Sequence, residues 1–356
     1  MVREIAQFVK KGSNMKVARQ NTYITLWVQV CFYIISSVIF GLFIYRGSAV
    51  FIVHDADPAC VPQKIVAERT KDKIHAISMG LFIRNFVQFD IVHNTIVFDG
   101  LITAVFDKNR VPLDTVSKFT VESGDITRKS DPVVKTNGSL VTALWDVRIS
   151  LTPNFNFKGY PLDSHRLDII LSNYAVEPSV IALESSDTNF TMDQHINIPG
   201  WNFIDKKVCN GYAYDLIHLD DKHEGNYFPR VIFSIDCKRH DINHLLAVLL
   251  PMIGLFFLSM LVFSYSVQDF MDSYMTLAMA MLAYRFVIQA TAPDTSYFML
   301  SDYLFLLFLA LIFFTFFINI LVEYRSSRLK LGTLAAFHIL LLACFVYALY
   351  IVMGKV

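Results

Sequence analysis

The sequence predicts an extracellular all-β sandwich of the immunoglobulin-like kind, followed by a four-helix transmembrane bundle, with one extra transmembrane helix at the N-terminus. Two observations lead to this fold class. The 356 residues are 54% hydrophobic and their mean hydropathy is +0.45, which is too apolar for an ordinary soluble domain. The apolar segments are also unevenly distributed, because one lies near the N-terminus and four lie in the C-terminal third, beyond a long polar stretch.

Five segments are long enough to cross a membrane as helices, which takes about 20 mainly apolar residues. The first lies far from the others and follows a long polar segment, so we interpret it as an uncleaved extra helix or signal anchor rather than a removed signal peptide. The five predicted spans are residues 23–45, 242–265, 271–290, 303–321 and 334–353.

Basic residues in short loops orient the predicted helices, because such loops stay preferentially in the cytoplasm. Residues 1–22 are rich in Lys and Arg, and the loop between the last two spans carries Arg325, Arg328 and Lys330. Both are expected inside, which puts the β domain on the outer side of the membrane, or in the periplasm of a bacterium. The predicted domains are a cytoplasmic N-terminal segment (1–22), an extra transmembrane helix or signal anchor (23–45), an extracellular β-sandwich (46–240) and a four-helix transmembrane domain (241–356).

The polar stretch has the pattern of an all-β domain. Segments at residues 95–107, 141–151 and 167–171 alternate between apolar and polar side chains, or run apolar, over strand lengths. Turn-forming clusters separate them, and many short strands between such turns are typical of a β-sandwich. The strand that ends at Arg239 meets the helix that begins at Ile242 without a linker. A rigid junction of this kind suits the transmission of force.

Composition argues against several classes of function. The chain has 31 basic and 31 acidic residues, so its net charge indicates no nucleic-acid partner. No Cys-x-x-Cys or Cys/His spacing typical of a zinc site occurs in the sequence, and no metal or other cofactor is expected. Cys209 and Cys237 flank a predicted hairpin, so a cross-strand disulfide is one alternative and two unbonded thiols are the other.

Several further features follow one another along the chain in a fixed order. They are the turn Tyr160-Pro161-Leu162-Asp163, a strand ending in Arg239, a helix with Pro251 at its middle, a helix with Thr276 that leads into Ala292-Pro293-Asp294, and Asp302 at the start of the next helix. In this order and spacing they resemble the pentameric ligand-gated ion channel (Cys-loop receptor) superfamily, especially its prokaryotic-type members. The resemblance covers about residues 70–353.

The chain departs from that family's pattern within the loop. Pro153 and Leu167 stand where the family's two loop cysteines fall, as in members that lack the disulfide, and His165 stands where Gln is usual. The resemblance implies a homopentamer that conducts ions when an unknown small extracellular agonist binds a ligand-binding β-sandwich. The partners of each chain are then four identical subunits, membrane lipids and permeant ions.

Seven residues of the second helix in the predicted bundle recur at alternating steps of three and four, which places them on one helical face. In a symmetric ring this face surrounds an axis, where carboxylates favour cations and Met or Phe side chains form hydrophobic constrictions. The alternative is ordinary packing between helices, and an Asp at a helix start can also act as a cap. The predicted pore-lining residues are Asp269, Asp272, Thr276, Met279, Ala283, Phe286 and Ala290.

The resemblance places the Tyr160–Asp163 turn at the base of the sandwich, against the linker after the pore helix. Asp163 is expected to pair with Arg239, and the alternative is a tight turn whose Asp binds its own backbone. Arg285 lies within a predicted span, so it is expected to pair, with Asp302 or Asp294 as partner; the alternatives are that it snorkels to the membrane interface or acts directly in the pore. The predicted residues for coupling ligand binding to gating are Tyr160, Pro161, Leu162, Asp163, Arg239, Pro293 and Tyr297.

The resemblance also puts the agonist between subunits, partly under the hairpin tip at residues 218–227. Acidic and histidine side chains of the tip could bind a divalent cation or sense protons, whereas the alternative is a solvated loop. Three tyrosines could form an aromatic cage for an amine, or belong to the core of the sandwich. The candidate ligand residues are Tyr212, Tyr214, Asp220, Asp221, His223, Glu224 and Tyr227.

Two other classes of function compete with a channel. A non-conducting, membrane-anchored sensor or adaptor with the same fold is the alternative, since residues 23–45 could bind a partner helix. A membrane-bound enzyme is not expected, because the sequence contains no pairing of nucleophile and base, no phosphate-binding Gly-rich loop and no metal triad.

Overall fold

The computed structural model describes residues 74–175, 181–215, 226–240, 242–261 and 267–323, together with isolated helical residues at 336, 339 and 343. These residues belong to two compact units. The sheet unit comprises the described residues up to Phe157 and those within Asp163–Asp241, whereas the helical unit comprises Lys158–Leu162 and the described residues from Ile242 onwards. The chain therefore leaves the sheet unit for five residues and then returns to it.

The sheet unit contains eleven strands and one short helix within the described ranges. In chain order they are β1 (His75–Asp90), β2 (Thr95–Asp107), α1 (Leu113–Ser117), β3 (Thr120–Glu122), β4 (Gly124–Lys129), β5 (Val133–Asn137), β6 (Leu140–Leu151), β7 (Ser164–Ser172), β8 (Ile181–Glu184), β9 (Phe190–Met192), β10 (Trp201–Asp215) and β11 (Asn226–Arg239). Seven strands form one sheet in the order β4-β6-β2-β1-β8, with β5 beside β6 and β9 beside β1. The other sheet has the order β10-β11-β7-β3.

The two sheets share one apolar core. β6 alternates strictly, so that Trp145, Val147 and Ile149 are buried while the residues between them are not. The second sheet contributes inward side chains of β7 and β11, and the Phe190 and Phe233 rings meet with centroids 5.1 Å apart. Burial of each such side chain stabilises the unit by about 1.5–3 kcal/mol. This core fixes the register of β7 with β11, which positions the loop ends considered below.

Three long helices make up most of the helical unit: α2 (Ile242–Leu261), α3 (Val267–Thr291) and α4 (Leu300–Glu323). Their buried side chains form one cluster to which all three contribute, for example through Met252, Met281 and Phe308. Leu162, from the five-residue excursion of the chain, packs against the same cluster. The predicted domain boundaries put residues 158–162 in the β domain, whereas here they pack with the helices.

The predicted fold class is wrong in the form given above. In the described part of the chain there are three long helices and one of five residues, so a four-helix transmembrane bundle with an extra helix is not found. Among those helices only Leu300–Phe317, with a mean hydropathy of 2.2, is long and apolar enough to cross a membrane. The predicted span at residues 23–45 and nearly all of that at 334–353 lie outside the described residues.

Physical reasons for this difference lie in the composition of the helices and in the strand pairing. α2 contributes only a shorter apolar stretch, Leu246–Ser259, and α3 is interrupted by charged side chains such as Asp272 and Arg285. The sheet region is also mixed, because β8 and β9 pair parallel with β1, whereas immunoglobulin-like sandwiches are antiparallel.

A disulfide between Cys209 and Cys237 is not formed. In the antiparallel pairing of β10 with β11, Cys209 lies opposite Ile232 and Cys237 lies opposite Phe203. The two positions are therefore five steps apart along β11, about 17 Å in an extended strand, whereas a disulfide requires Cα atoms within about 7 Å. The alternative of a cross-strand bond is wrong because the hairpin register is not centred between the two cysteines.

Candidate functional site

Tyr160 is the most enclosed residue of the predicted coupling loop. Its side chain is fully buried, and its hydroxyl donates to the carbonyl oxygen of Thr291 at 3.1 Å. The hydroxyl oxygen of Tyr160 also lies 2.9 Å from Nε2 of His244, a residue of α2. Because Thr291 ends α3, this one side chain links two of the three long helices.

The backbone of the same loop binds the start of α4. The N–H groups of Leu300 and Ser301 donate to the carbonyl oxygens of Lys158 and Tyr160, at 2.9 and 3.1 Å. The first N–H groups of a helix have no partner within the helix, so these two loop carbonyls act as caps. The Tyr160-Pro161 peptide bond within the loop is cis.

The linker between α3 and α4 contains the other two predicted coupling residues. Pro293 is buried, whereas 38% of Tyr297 is exposed. The loop at 158–162 binds the residues that flank this linker, Thr291 before it and Leu300 after it. Within the helical unit, the structure thus brings the predicted loop and the predicted linker to the same ends of the helices.

Asp163 forms the predicted ion pair with Arg239 within the sheet unit. Arg239 Nε donates to Oδ1 of Asp163 at 2.8 Å, and Nη2 lies 3.4 Å from Oδ2. The Asp163 side chain is only 1% exposed and that of Arg239 is 11% exposed. The fork of the guanidinium matches the carboxylate, which favours charge-assisted hydrogen bonds of this kind. The role of this pair in coupling stays a prediction.

His165 is a second partner of Asp163 that the sequence patterns did not predict. Its Nε2 lies 2.7 Å from Oδ2 of Asp163, and its side chain is completely buried. Burial by itself raises the pKa of Asp163, but the hydrogen bond from His165 and the charge of Arg239 outweigh it, so the pKa is held well below its usual value. Asp163 is therefore ionised throughout the physiological range.

An aromatic shell encloses this charged contact. The Trp201 ring lies 4.5 Å from the Arg239 guanidinium carbon, which is cation–π geometry, and its centroid is 5.6 Å from that of His165. Phe155 and Phe157 pack on the imidazole with centroid distances of 4.8 and 5.0 Å. Since water is kept from these groups, their interactions are screened less than those of surface charges.

Arg285 of α3 pairs with Asp302 of α4, which was one of the two predicted partners. The other carboxylate oxygen of Asp302 accepts the N–H of Met299 at 2.9 Å, so this aspartate also caps the start of α4. A cavity of ≈ 240 Å³ lies beside the pair, lined in part by Asp294 and Tyr297. The ion pair gives the charge of Arg285 a partner on the neighbouring helix.

The predicted pore-lining residues occupy the face of α3 that no other described part of the chain covers. The buried residues of this helix recur every seven positions, as Tyr274, Met281 and Ile288. At about 100° per residue, Asp272 and Ala290 lie about 180° from Met281 around the helix. The predicted residues with described side chains are all exposed in the single chain: Asp272, Thr276, Met279, Ala283, Phe286 and Ala290.

The residues of this face differ in their hydrogen bonds to the helix backbone and in their exposed fractions. Thr276 donates its hydroxyl to the carbonyl oxygen of Asp272, one turn earlier, at 2.8 Å. Met279 is 65% exposed and Phe286 is 72% exposed, which are large values for apolar side chains. Asp269 lies within α3, but its side chain lies outside the described residues.

Only part of the predicted ligand site falls within the described residues. Tyr212 belongs to the core, since it is fully buried and donates its hydroxyl to the carbonyl oxygen of Ile181 at 3.0 Å. Burial raises the pKa of Tyr212 to about 12. Tyr214 and Tyr227 face each other across β10 and β11 with ring centroids 5.0 Å apart. The remaining candidates, Asp220, Asp221, His223 and Glu224, lie outside the described residues.

A charged cluster on the second sheet was missed altogether. Glu122 accepts a hydrogen bond from the hydroxyl of Ser172, another from Tyr174 at 3.3 Å, and lies 3.4 Å from a guanidinium nitrogen of Arg230. Arg230 is only 8% exposed, and its Nε has no hydrogen-bond partner in the described part of the chain. These residues come from β3, β7 and β11, or follow them closely, so no sequence pattern could have grouped them without the strand register.

Comparison with known proteins does not assign the chain to a family. No protein-family model matches the sequence, and no curated protein matches it significantly. The likeness to pentameric ligand-gated channels therefore rests on the motifs and their spacing alone.

Proposed function

We propose that this chain is one subunit of a homopentameric ligand-gated ion channel that conducts cations and is gated by an extracellular ligand bound to its sheet unit. It is then an integral membrane protein, of the inner membrane if bacterial, with the sheet unit on the outer or periplasmic side. Each chain works with four identical subunits, membrane lipids, permeant ions and a small agonist, and not with nucleic acid.

The uncovered face of α3 is the observation that carries this proposal. It combines a carboxylate at Asp272 and a hydroxyl at Thr276 with the apolar side chains of Met279 and Phe286. A carboxylate facing hydrocarbon is costly, so this face suits a water-filled path better than lipid. Five copies around an axis would arrange it as alternating rings, acidic at one end and apolar further along. Acidic rings favour cations, and apolar rings close a pore by excluding water.

The route of the chain supports a coupling role for the loop. Residues Lys158–Leu162 belong to the helical unit, and the next residue, Asp163, belongs to the sheet unit. Tyr160 is bound at the ends of the helices, while Asp163 is bound by Arg239 and His165. A displacement of the second sheet by a ligand would therefore be passed through a single peptide bond to a loop that holds α3 and α4.

The sheet unit also offers groups that a polar ligand could bind. The Nε–H of Arg230 is buried with no partner in the described residues, and Glu122 stands beside it. A buried donor without an acceptor is costly, so a ligand that supplied an acceptor would gain affinity from it. The Tyr214–Tyr227 pair adds aromatic surface nearer the β10–β11 turn.

The proposed pore can be tested without an agonist. If Phe286 forms an apolar constriction, Phe286→Ser should hydrate it and speed resting K⁺ efflux from liposomes that contain the full-length chain. A rate increase of about tenfold corresponds to a barrier lower by about 1.4 kcal/mol. Efflux would be followed with an ion-selective electrode, and chloride efflux from the same liposomes would be measured in parallel.

Phe313→Ser is the matched control, because Phe313 is 46% exposed on α4 and lies off the proposed pore face. Its efflux should equal that of the native chain. Equal rates for both variants and the native protein would argue against a pore along α3. Such a result would favour the alternative, a non-conducting membrane-anchored sensor or adaptor, because the exposed Met275, Met279 and Phe286 could then serve to bind a partner helix.

A further inference from the structure

The tight turn between β5 and β6 presents an Asn-Gly sequence at the surface of the sheet unit. Asn137 ends β5 and pairs with Leu140, the first residue of β6, so that Gly138 and Ser139 form a two-residue turn. Gly138 has a φ of +63°, and beyond its two chain neighbours no described atom lies within 4 Å of the position that a Cβ would take. Glycine at the first position of such a turn is typical of β-hairpins. Asn137 is itself exposed, so its side-chain amide and the next peptide nitrogen lie side by side in an uncrowded place.

An Asn-Gly sequence can lose ammonia without an enzyme. The backbone nitrogen of Gly138 attacks Cγ of Asn137, a C–N bond forms, and the side-chain nitrogen leaves as ammonia with the proton of the Gly138 N–H. Water then opens the resulting five-membered imide at either carbonyl and leaves an aspartate or an isoaspartate. Water is the only co-reactant, and nothing is oxidised or reduced. Glycine favours the ring closure because it has no Cβ to hinder its nitrogen.

The chain contains a second Asn-Gly sequence, Asn210-Gly211, in a contrasting setting. Nδ2 of Asn210 donates to the carbonyl oxygen of Ser185 at 2.7 Å, and Oδ1 of Asn210 accepts the N–H of Ser185 at 2.8 Å. Asn210 and Gly211 lie inside β10, where they pair with Val231 and Arg230 of β11. The side-chain amide is thus held by two hydrogen bonds, and the peptide bond after it is part of a paired strand.

The two sites differ in how much structure must open before the ring can close. A side chain in a strand stands roughly perpendicular to the sheet, so the backbone at the asparagine must rotate before Cγ can meet the next nitrogen. At Asn137 this rotation breaks only the last pair of the hairpin, and all residues of β5 are exposed. Asn210 lies within a strand of 15 residues. Exposed chain ends and turns open at little cost in free energy, whereas the interior of a long paired strand opens at a cost near that of global unfolding.

We infer that Asn137 is a site of spontaneous deamidation in the folded protein and that the fold protects Asn210 from the same reaction. The reaction adds a negative charge to an uncharged turn. In the isoaspartate product the main chain also runs through the former side chain and gains a methylene group, which displaces Gly138 and Ser139 relative to β6. Because the carbonyl oxygen of Ser139 accepts the N–H of Lys108 at 3.0 Å, the displacement would reach the loop after β2. The inference is independent of the proposed channel function.

The test compares the two sites in the folded and in the unfolded protein. The full-length chain is kept at pH 8 and 37 °C, in detergent alone or in concentrated guanidinium chloride, and is digested at intervals. Chromatography and mass spectrometry then separate asparagine, aspartate and isoaspartate peptides. In the folded protein Asn137 should react at least about tenfold faster than Asn210, a barrier difference of about 1.4 kcal/mol. In guanidinium chloride the two rates should become similar, because the protection of Asn210 is then lost.

Two controls separate the effect of the Asn-Gly sequence from that of exposure. Asn109 is also exposed but is followed by Arg110, so in the folded protein it should react more slowly than Asn137. Asn137→Gln should abolish the aspartate and isoaspartate signals of its peptide, because glutamine would have to close a larger ring. Absence of reaction at Asn137 in the folded protein, or an equal rate at Asn210, would overturn the inference. An equal rate at Asn109 would overturn the role of Gly138.

Discussion

Replacement of Asp163 should destabilise the sheet unit. Asp163→Asn leaves Arg239 almost buried without its counter-charge, and removal of one partner from a buried ion pair costs about 3 kcal/mol of unfolding free energy. Thermal or denaturant unfolding of the full-length chain in detergent measures the loss. Asp187→Asn, at an exposed aspartate, is the control and should change stability by less than about 0.5 kcal/mol.

The same pair has a defined dependence on pH. Because the folded-state pKa of Asp163 lies below the ordinary carboxyl value, its stabilisation is present above about pH 4 and is lost as the pH falls through the folded-state pKa. The stability difference between the native chain and the Asp163→Asn variant should stay constant from pH 8 to pH 5. It should narrow only below about pH 4. A difference that already narrows near pH 6 would contradict the lowered pKa.

Predictions of ion pairs from the sequence succeeded where a charge had only one or two candidate partners. The pairs Asp163–Arg239 and Arg285–Asp302 are both present. The Glu122–Arg230 cluster was not found, because its grouping depends on which strands are neighbours and in what register. The contact of His165 with Asp163 was not found either. A position two residues from Asp163 on a strand gives no sign by itself that its ring turns back towards the carboxylate.

At the scale of elements, the exposed face of α3 can be mapped by cysteine substitution. If this face lines water, Thr276→Cys and Met279→Cys in liposomes should react with a membrane-impermeant cationic thiol reagent. Leu306→Cys, at an exposed position of α4, should be protected by lipid, and Met281→Cys should be protected by packing. Labelling would be followed by mass spectrometry with the exposed Cys209 changed to Ser.

The extent of labelling at Thr276→Cys relative to that at Leu306→Cys decides whether the α3 face lines water. Equal labelling of Leu306→Cys and Thr276→Cys would mean that the α3 face is no more hydrated than the outer surface of α4. Labelling of Met281→Cys at the same rate would mean that the helix had lost its packing, and the variant would then carry no information about a pore.

The position of helix α3 was predicted from the sequence, whereas the pairing of the strands was not. The helical segment predicted at residues 271–290 corresponds to α3 at Val267–Thr291, since steps of three and four are a local property of the chain. The parallel pairing of β1 with β8 was not predicted, because it joins residues as distant in sequence as His75 and Ile181. Of the three predicted spans that fall largely within the described residues, only the one at 303–321 is apolar over a sufficient length, because α2 has a shorter apolar stretch and charged side chains interrupt α3.

At the scale of the whole molecule, the proposed function requires a fixed number of chains. Full-length protein in nanodiscs should form particles of about five times the 40.7 kDa of one chain, after subtraction of lipid and belt protein. Averaged electron micrographs should show fivefold symmetry, because heterologous contacts close into a ring of one size. Phe286→Ser particles serve as a control, since that change should alter flux and not assembly. Dimers or monomers as the main species would contradict the proposal.

The five-residue excursion of the chain limits how the two units can be exchanged between proteins. A chimera joined only at the boundary before Ile242 would keep Lys158–Leu162 from one parent and take α2, α3 and α4 from another. Tyr160 would then need a foreign carbonyl in place of that of Thr291, and the foreign α4 would need its first N–H groups capped by Lys158 and Tyr160. Recombination that preserves folding must therefore transfer two separate stretches of the gene together, so the loop and the helices are expected to be inherited as one module.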